Sequence, residues 1–561
     1  MKFSEMPYER PELKTLQESI DKIISAINCA ENADEQIKSV KMFEQTMKHF
    51  NTLSSICEAR NAIDTRDKFY EDEHNYFNTI IPILEEKYNA YYKSLLNSKF
   101  RPEIQKILGD VTFKNMEMQL TAFTPEIIPL MQEENALCSD YQKLYSSAKI
   151  SFRGEIYTIA QLGKFKQSDD RETRREAWFA DGQFFDEHRK EFDEIFDKLV
   201  KNRTQQAKKL GFDNFVPLGY IRQQRNCYGP EGIANFRRQV IEDLVPLVKK
   251  IKVKQAQHIG LDSLTLYDDG YNFSDGNPTP KGTPEELLQC AKKMYSEMSP
   301  QTKEFIELMF DMDLFDILAK DGKAPGGYCT FFQEYDCPFI FANFNGTSDD
   351  VEILTHEAGH AFADYTANQF IEFECQKSPS MEACEVHSMS MEFLTSPWHE
   401  LFFKEETAKY ELSHAEGALF FIPYGTAVDN FQEIVYSHPE MTHEQRNEEW
   451  AKLEKTFRPW IDFEGIPFYG RGAGWQRQLH IYTLPFYYID YCLAQTVALQ
   501  VFSLMIKDKK KAWETYYDFV KLGGTKFFVE ICRTVGLISP IDDGCLKTTC
   551  DTMGEWLETK Y

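Results

Sequence analysis

Apolar positions along the chain recur mostly at helical spacing. Leu13, Leu16, Ile20, Ile23 and Ile27 share one helix face after a start at Pro11, and Met42, Phe43, Met47, Phe50 and Leu53 repeat the pattern in the next segment. This rhythm predicts antiparallel helices through about residue 145. The stretch Ile150–Leu162 breaks it. Ile150 and Phe152, then Arg153-Gly154, then Ile156, Tyr157 and Ile159 read as a short hairpin. Helices return in the charged segment Ser168–Arg203. Tyr267–Gly282 is rich in turn signals, but Thr283-Pro284-Glu285-Glu286 follows at once as a capping box with proline at the first helical position. The segment is therefore a surface loop and not a linker. A second small β region is expected at Gly326–Phe344, where Tyr328, Phe331, Phe332, Phe339, Ile340 and Phe341 cluster with few charges. No internal repeat or low-complexity tract interrupts the pattern.

Composition narrows the classes of function. With 42% hydrophobic and 27% charged residues, the 561-residue chain has the balance of a globular protein with a large core. Its formal net charge of −26 disfavours phosphate backbones and anionic lipid, so neither nucleic acid nor membrane is expected as a partner. The 13 cysteines are scattered singly with no CxxC pair, which argues against a disulfide framework and for a reducing compartment. The first residues lack a signal-peptide core, and no apolar run approaches ~18 residues. A cytoplasmic protein without a membrane span is expected.

The chemistry is carried by Thr355-His356-Glu357-Ala358-Gly359-His360-Ala361-Phe362, which contains HExxH. On a helix, two histidines four residues apart lie on one face and reach one cation, while Glu357 is placed to touch a bound water. Val351, Ile353, Leu354, Ala358, Ala361 and Phe362 make this helix largely buried, where two imidazoles and a carboxylate are costly unless compensated. Two ordinary core histidines would be the bland reading. A catalytic zinc takes three protein ligands and keeps a position open. A second helix is expected at Met381–Leu394, with Glu382, Glu385, His387 and Glu392 in an apolar setting. Glu385, 25 residues beyond His360, is the preferred third ligand, although by spacing Glu382 and His387 compete. His387 reads better as a hydrogen-bonding neighbour. Glu352, one turn before His356, is either an orienting group or a solvated one.

These residues, with Glu385-Val386-His387-Ser388-Met389-Ser390-Met391-Glu392-Phe393, Gly470-Arg471-Gly472 and His480–Tyr491, resemble the oligoendopeptidase F branch of the thimet-oligopeptidase family. The motifs cover the C-terminal two thirds, and the N-terminal helices match in general character. The resemblance implies a mainly α, two-lobed helical shell around a deep substrate channel, with a small β region beside the HExxH helix. It assigns His356, His360 and Glu385 to one Zn2+ per chain. It also offers His480, Tyr487, Tyr488 and Tyr491 as groups facing the scissile peptide, with Tyr491 the best match. Tyr487 and Tyr488 are not separated by it, and Tyr488 is the working choice. By the same analogy the strand Pro338–Phe344 offers its edge to an extended substrate. Gly470–Gly474 lacks a P-loop's Lys-Ser/Thr ending and suits a mobile closing loop.

The expected activity is zinc-dependent endopeptidase cleavage of short unfolded peptides, with Glu357 as general base and His480, Tyr488 and Tyr491 on the oxyanion. The alternatives are a helical zinc exopeptidase needing a free terminus and, remotely, a non-catalytic peptide-binding scaffold. Lobes are drawn at 1–195 (N-terminal, helical) and 196–561 (catalytic), because the catalytic motifs all lie beyond the division. Side-chain preference and oligomeric state are not written in the motifs.

Overall fold

The computed structural model describes residues 1–159, 161–320, 322–324 and 326–561. Helices dominate, and the sheets are small. The chain forms two compact units, each assembled from three stretches: 1–120, 278–408 and 500–537 in the first, and 121–277, 409–499 and 538–561 in the second. The expected division near residue 195 falls inside the helix Arg189–Lys209 of the second unit.

In the first unit, Leu13–Cys29, Ala33–Ile63 and Lys68–Leu96 pack on one another as their periodicity requires. Ile20, Ile23, Ile27, Phe43, Met47, Phe50, Phe77 and Leu84 fill their common core, and Phe43 stacks on Tyr91 with centroids 3.8 Å apart. Each such side chain, fully buried, contributes about 1.5–3 kcal/mol. Asn32 and Asp67 start the second and third helices by accepting backbone N–H groups at 3.0 and 2.9 Å. Met42 departs from the expectation. It lies beside Phe43 in sequence and is 58% exposed, because neighbours on a helix point about 100° apart.

The expected β region is a three-stranded sheet in the order Phe315–Leu318, Cys337–Phe344, Tyr328–Phe332. Cys337–Phe344 pairs with Phe315–Leu318 in parallel and with Tyr328–Phe332 antiparallel. It is thus the central strand, and the edge expected of Pro338–Phe344 is already taken. The edge beside it belongs to Tyr328–Phe332. The continuous apolar run that made the central strand conspicuous reflects burial throughout.

The second unit contains the hairpin, shorter than expected: Ile150–Phe152 pairs with Glu155–Tyr157 across Arg153 and Gly154, both at positive φ. Ile128–Ser146 and Arg189–Lys209 pack side by side around a buried charge cluster. Arg203, with no exposed surface, donates to Glu134 at 2.6 Å and to the Tyr436 hydroxyl at 2.6 Å. Gln206 and Arg222 donate to the second Glu134 oxygen at 2.8 and 3.2 Å. One helix, Tyr488–Lys507, is long and apolar enough to cross a membrane, but 72% of its apolar window is buried inside the protein, as in a core helix. No disulfide forms among the described residues.

Candidate active site

The HExxH motif lies on the helix Asp349–Phe370. Asp350 in its first turn accepts the backbone N–H groups of Asn345 and Gly346, both at 2.8 Å, which fixes the chain leaving the sheet. The expected second helix is Met381–Leu394. The two approach closely because Gly359, between the histidines, has no side chain. A Cβ there would stand 2.6 Å from Ser388 Cα and 2.7 Å from the His387 carbonyl oxygen. Glycine at this position therefore brings Glu385 within reach of both imidazoles.

His356, His360 and Glu385 converge, with one donor atom from each within 4.8 Å of the others. Glu385 Oε2 lies 3.3 Å from His356 Nε2 and 3.5 Å from His360 Nε2. Four ligands arranged tetrahedrally at about 2.1 Å stand about 3.4 Å apart, so the separations fit one shared zinc-sized ion. The donor set, two imidazole nitrogens and one carboxylate, is that of a catalytic zinc site. Of the three candidates on the second helix, Glu385 is the one at the histidines. His387 lies outside this converging set: its ring packs edge-on against Phe519, and burial pushes its pKa down to about 3.

His356 Nδ1 meets Glu392 Oε1 at 2.7 Å. A carboxylate there holds the proton on Nδ1 and aims the Nε2 lone pair at the metal position. In the sequence Glu392 stands on this helix without an evident role, and Glu352 is the candidate for orienting His356. The available signal was spacing, since Glu392 is two turns beyond Glu385 on the same face. Glu392→Gln is expected to weaken metal affinity about 10- to 100-fold while leaving the ligands in place. Competition with a chelating dye checks this, and unchanged affinity would remove Glu392 from the metal's support.

Charges in the site are tuned by burial and by each other. Burial opposes a charged His356, yet Glu385 and Glu392 hold its pKa well above the usual value. Burial acts on Glu385 too, but the two imidazoles hold its carboxyl well below the ordinary range. Glu357 is buried, which raises its pKa against the pull of both histidines. Asp364, one turn beyond His360, is lifted to about 6 by burial, with His360 opposing.

His480, Tyr487, Tyr488 and Tyr491 form a cluster of their own in the second unit. The His480 ring centroid lies 5.9, 5.0 and 6.2 Å from those of Tyr487, Tyr488 and Tyr491. The turn before these tyrosines is locked from below. Phe486 has φ +68°, its N–H donates to Gln432 at 3.0 Å, and buried Arg225 binds its carbonyl oxygen and the Asp490 carboxylate. A non-glycine residue held at positive φ needs such support. Tyr424 donates to Gln478 Oε1 at 2.9 Å, which turns the Gln478 amide so that its Nε2 donates to His480 Nδ1 at 2.8 Å. The imidazole proton then sits on Nε2, available as a donor. Burial keeps the His480 pKa below its usual value, which favours the neutral ring. Neither Gln478 nor Arg225 stands out in the sequence.

The segment Gly470–Gly474 corrects the expectation of a mobile closing loop. It forms parts of two short 3-10 helices, and its glycines permit close packing: a Cβ on Gly472 would stand 2.3 Å from the Asn447 carbonyl oxygen, and one on Gly470 2.8 Å from that of Phe463.

Comparison with known proteins gives a consistent set. Residues 3–123 match the peptidase M3 N-terminal domain, and residues 164–549 match peptidase family M3. A solved structure, PZ peptidase A with inhibitor 2, is similar with a TM-score of 0.93 and 45% identity, over 100% of this chain and 99% of that one. Oligopeptidase PepF of Bacillus subtilis is 21% identical over 94% of this chain and 82% of its own length. An oligoendopeptidase F homolog of Lactococcus lactis is 20% identical over 85% of this chain and 82% of its own.

Proposed function

The chain belongs to peptidase family M3, and from that premise we propose that it is a zinc-dependent endopeptidase cutting internal bonds of short, unfolded peptides. The observation that carries this reading is the convergence of His356, His360 and Glu385 around one point, on the helix that also presents Glu357. We take one zinc per chain as the resident metal, held by those three residues. When bound, it supplies a Lewis acid that polarises the scissile carbonyl and lowers the pKa of water. Glu357 accepts the proton of the attacking water on a carboxylate oxygen and passes it to the departing nitrogen. The raised pKa of this buried group suits it to both halves of the transfer.

His480, Tyr488 and Tyr491 are assigned to the developing oxyanion as hydrogen-bond donors. Tyr488 and Tyr491 are half-exposed, whereas Tyr487 is only 7% exposed, which supports Tyr488 over Tyr487. The deep channel implied by the family would admit peptides and exclude folded proteins. Thirteen cysteines without a disulfide among the described residues support a reducing, cytoplasmic site of action.

The test is hydrolysis of a fluorogenic decapeptide blocked at both ends, with chelator and after zinc is restored. Internal cleavage that is lost with the metal and regained with zinc is the expected result. Cleavage only of peptides with a free terminus would establish the exopeptidase instead, and an equal rate on intact casein would refute the size limit.

A further inference from the structure

A second polar cluster in the second unit takes no part in the proton transfers above. Lys166 and Asp181 are paired at 2.7 Å and are 8% and 0% exposed. Tyr469 donates its hydroxyl to the other Asp181 oxygen at 2.6 Å. Trp178 packs against all of these: its ring centroid is 4.1 Å from Lys166 Nζ, 5.3 Å from the edge-on Tyr469 ring, and 5.6 Å from the guanidinium carbon of Arg477. One carboxylate therefore faces two cations, and Lys166 and Tyr469 already occupy it.

Arg477 is left over. It makes no ion pair among the described residues, and its buried Nε has no hydrogen-bond partner there. A guanidinium cannot shed its charge, and it presents five donors in a planar fork that matches a carboxylate. Holding one half-buried, among the phenols of Tyr145, Tyr424 and Tyr469, costs free energy that an arriving anion would offset. The position also bears on the reaction. Arg477 precedes Gln478, whose amide is fixed by Tyr424 and in turn fixes His480.

We propose that Arg477 is a carboxylate receptor for the peptide substrate, steadied on the Trp178 ring and kept unquenched because Lys166 and Tyr469 occupy Asp181. This rests on the peptidase reading above. The carboxylate is either the peptide's C-terminus or an Asp or Glu side chain, and both offer the same bidentate acceptor. Because Arg477 would bind a carboxylate and not the scissile peptide, the contact strengthens binding of ground and transition states alike, and its loss raises KM with kcat unchanged.

The experiment uses peptides with one scissile bond in three forms: free C-terminus, C-terminal amide, and C-terminal amide carrying an internal Glu in place of Gln. Wild type, Arg477→Met and Arg477→Lys are compared by KM and kcat. Binding is read separately by fluorescence anisotropy in the Glu357→Gln background, where turnover does not interfere. Wild type is expected to prefer one carboxylate form by about tenfold in KM, and Arg477→Met to abolish that preference without changing the amide form. Arg477→Lys is expected to keep part of it. The preferred form identifies the source of the carboxylate. Equal losses on every peptide would mean that Arg477 only supports the fold, and no carboxylate preference in wild type by either readout would overturn the proposal. Carboxylate-dependent binding without any cleavage would sustain the receptor and fail the peptidase reading.

Discussion

Glu357→Gln is expected to lower kcat by about 10²–10⁴-fold while the protein still binds one zinc. The amide has the size of the carboxylate but cannot take a proton from water. His356, His360 and Glu385, proposed to hold the metal, and Glu392, which meets His356, are untouched by the change. Glu357 is itself buried. An isosteric substitution is therefore the clean test, and a larger side chain would confound it. Metal analysis beside steady-state kinetics separates the two ways of failing. Near-normal turnover with bound zinc would take the base role away from Glu357, and loss of zinc would make Glu357 part of the metal's support.

The second large effect is on stability. Glu134→Gln is expected to destabilise the second unit by about 3–5 kcal/mol, because it leaves the fully buried Arg203 guanidinium without its counter-charge. Burial alone would raise the Glu134 pKa, but Arg203 and Arg222, with the Arg203 and Gln206 hydrogen bonds, bring it from 4.5 to about 2. A folded value below the unfolded one means that the contribution is complete above about pH 4.5 and fades as pH falls towards 2. The shift corresponds to about 3 kcal/mol, consistent with the mutational figure. Urea midpoints measured at pH 7 and towards pH 3 should show the gap between wild type and variant narrowing as acid is added. A pH-independent gap would assign the loss to packing, and no gap at pH 7 would refute the role of the pair.

The helices and the placing of His356 beside His360 were legible because both depend on short-range spacing. Leu16, Ile20, Ile23 and Ile27 share a face whatever the rest of the chain does, and so do His356 and His360. The capping box at Thr283 is equally local, and both of its hydrogen bonds form. The choice of Glu385 over Glu382 and His387 needed more than spacing. The approach of two helices at Gly359, a contact that no single segment encodes, is what brings Glu385 beside the histidines. The strands Tyr328–Phe332 and Cys337–Phe344 fall in the expected β region, but Phe315–Leu318 and the order of pairing were not foreseen, because an apolar run reveals burial and not which partners provide it. The supports of the His480 cluster, Gln478, Tyr424 and Arg225, are scattered over more than two hundred residues, and their roles exist only once the chain has folded. The glycines at 470 and 472 misled for the same reason: flexibility and close packing call for the same residue, and only the facing carbonyl tells them apart.

The interleaving of the two units also governs when the protein can become an enzyme during synthesis. The first unit begins at residue 1 but is closed by 500–537, and the second by 538–561, so neither is complete while most of the chain is still being made. The helical hairpins near the start can form as they emerge, since their partners are adjacent, but the long-range docking must wait. A nascent or truncated chain therefore exposes unfinished apolar faces and makes heavy demands on chaperones. It also means that the protein cannot be divided by a single cut into two working halves. For a peptidase this order of assembly has a use: the residues proposed for hydrolysis are all synthesised before 500–537 and 538–561, the stretches that close the two units, so activity awaits those stretches.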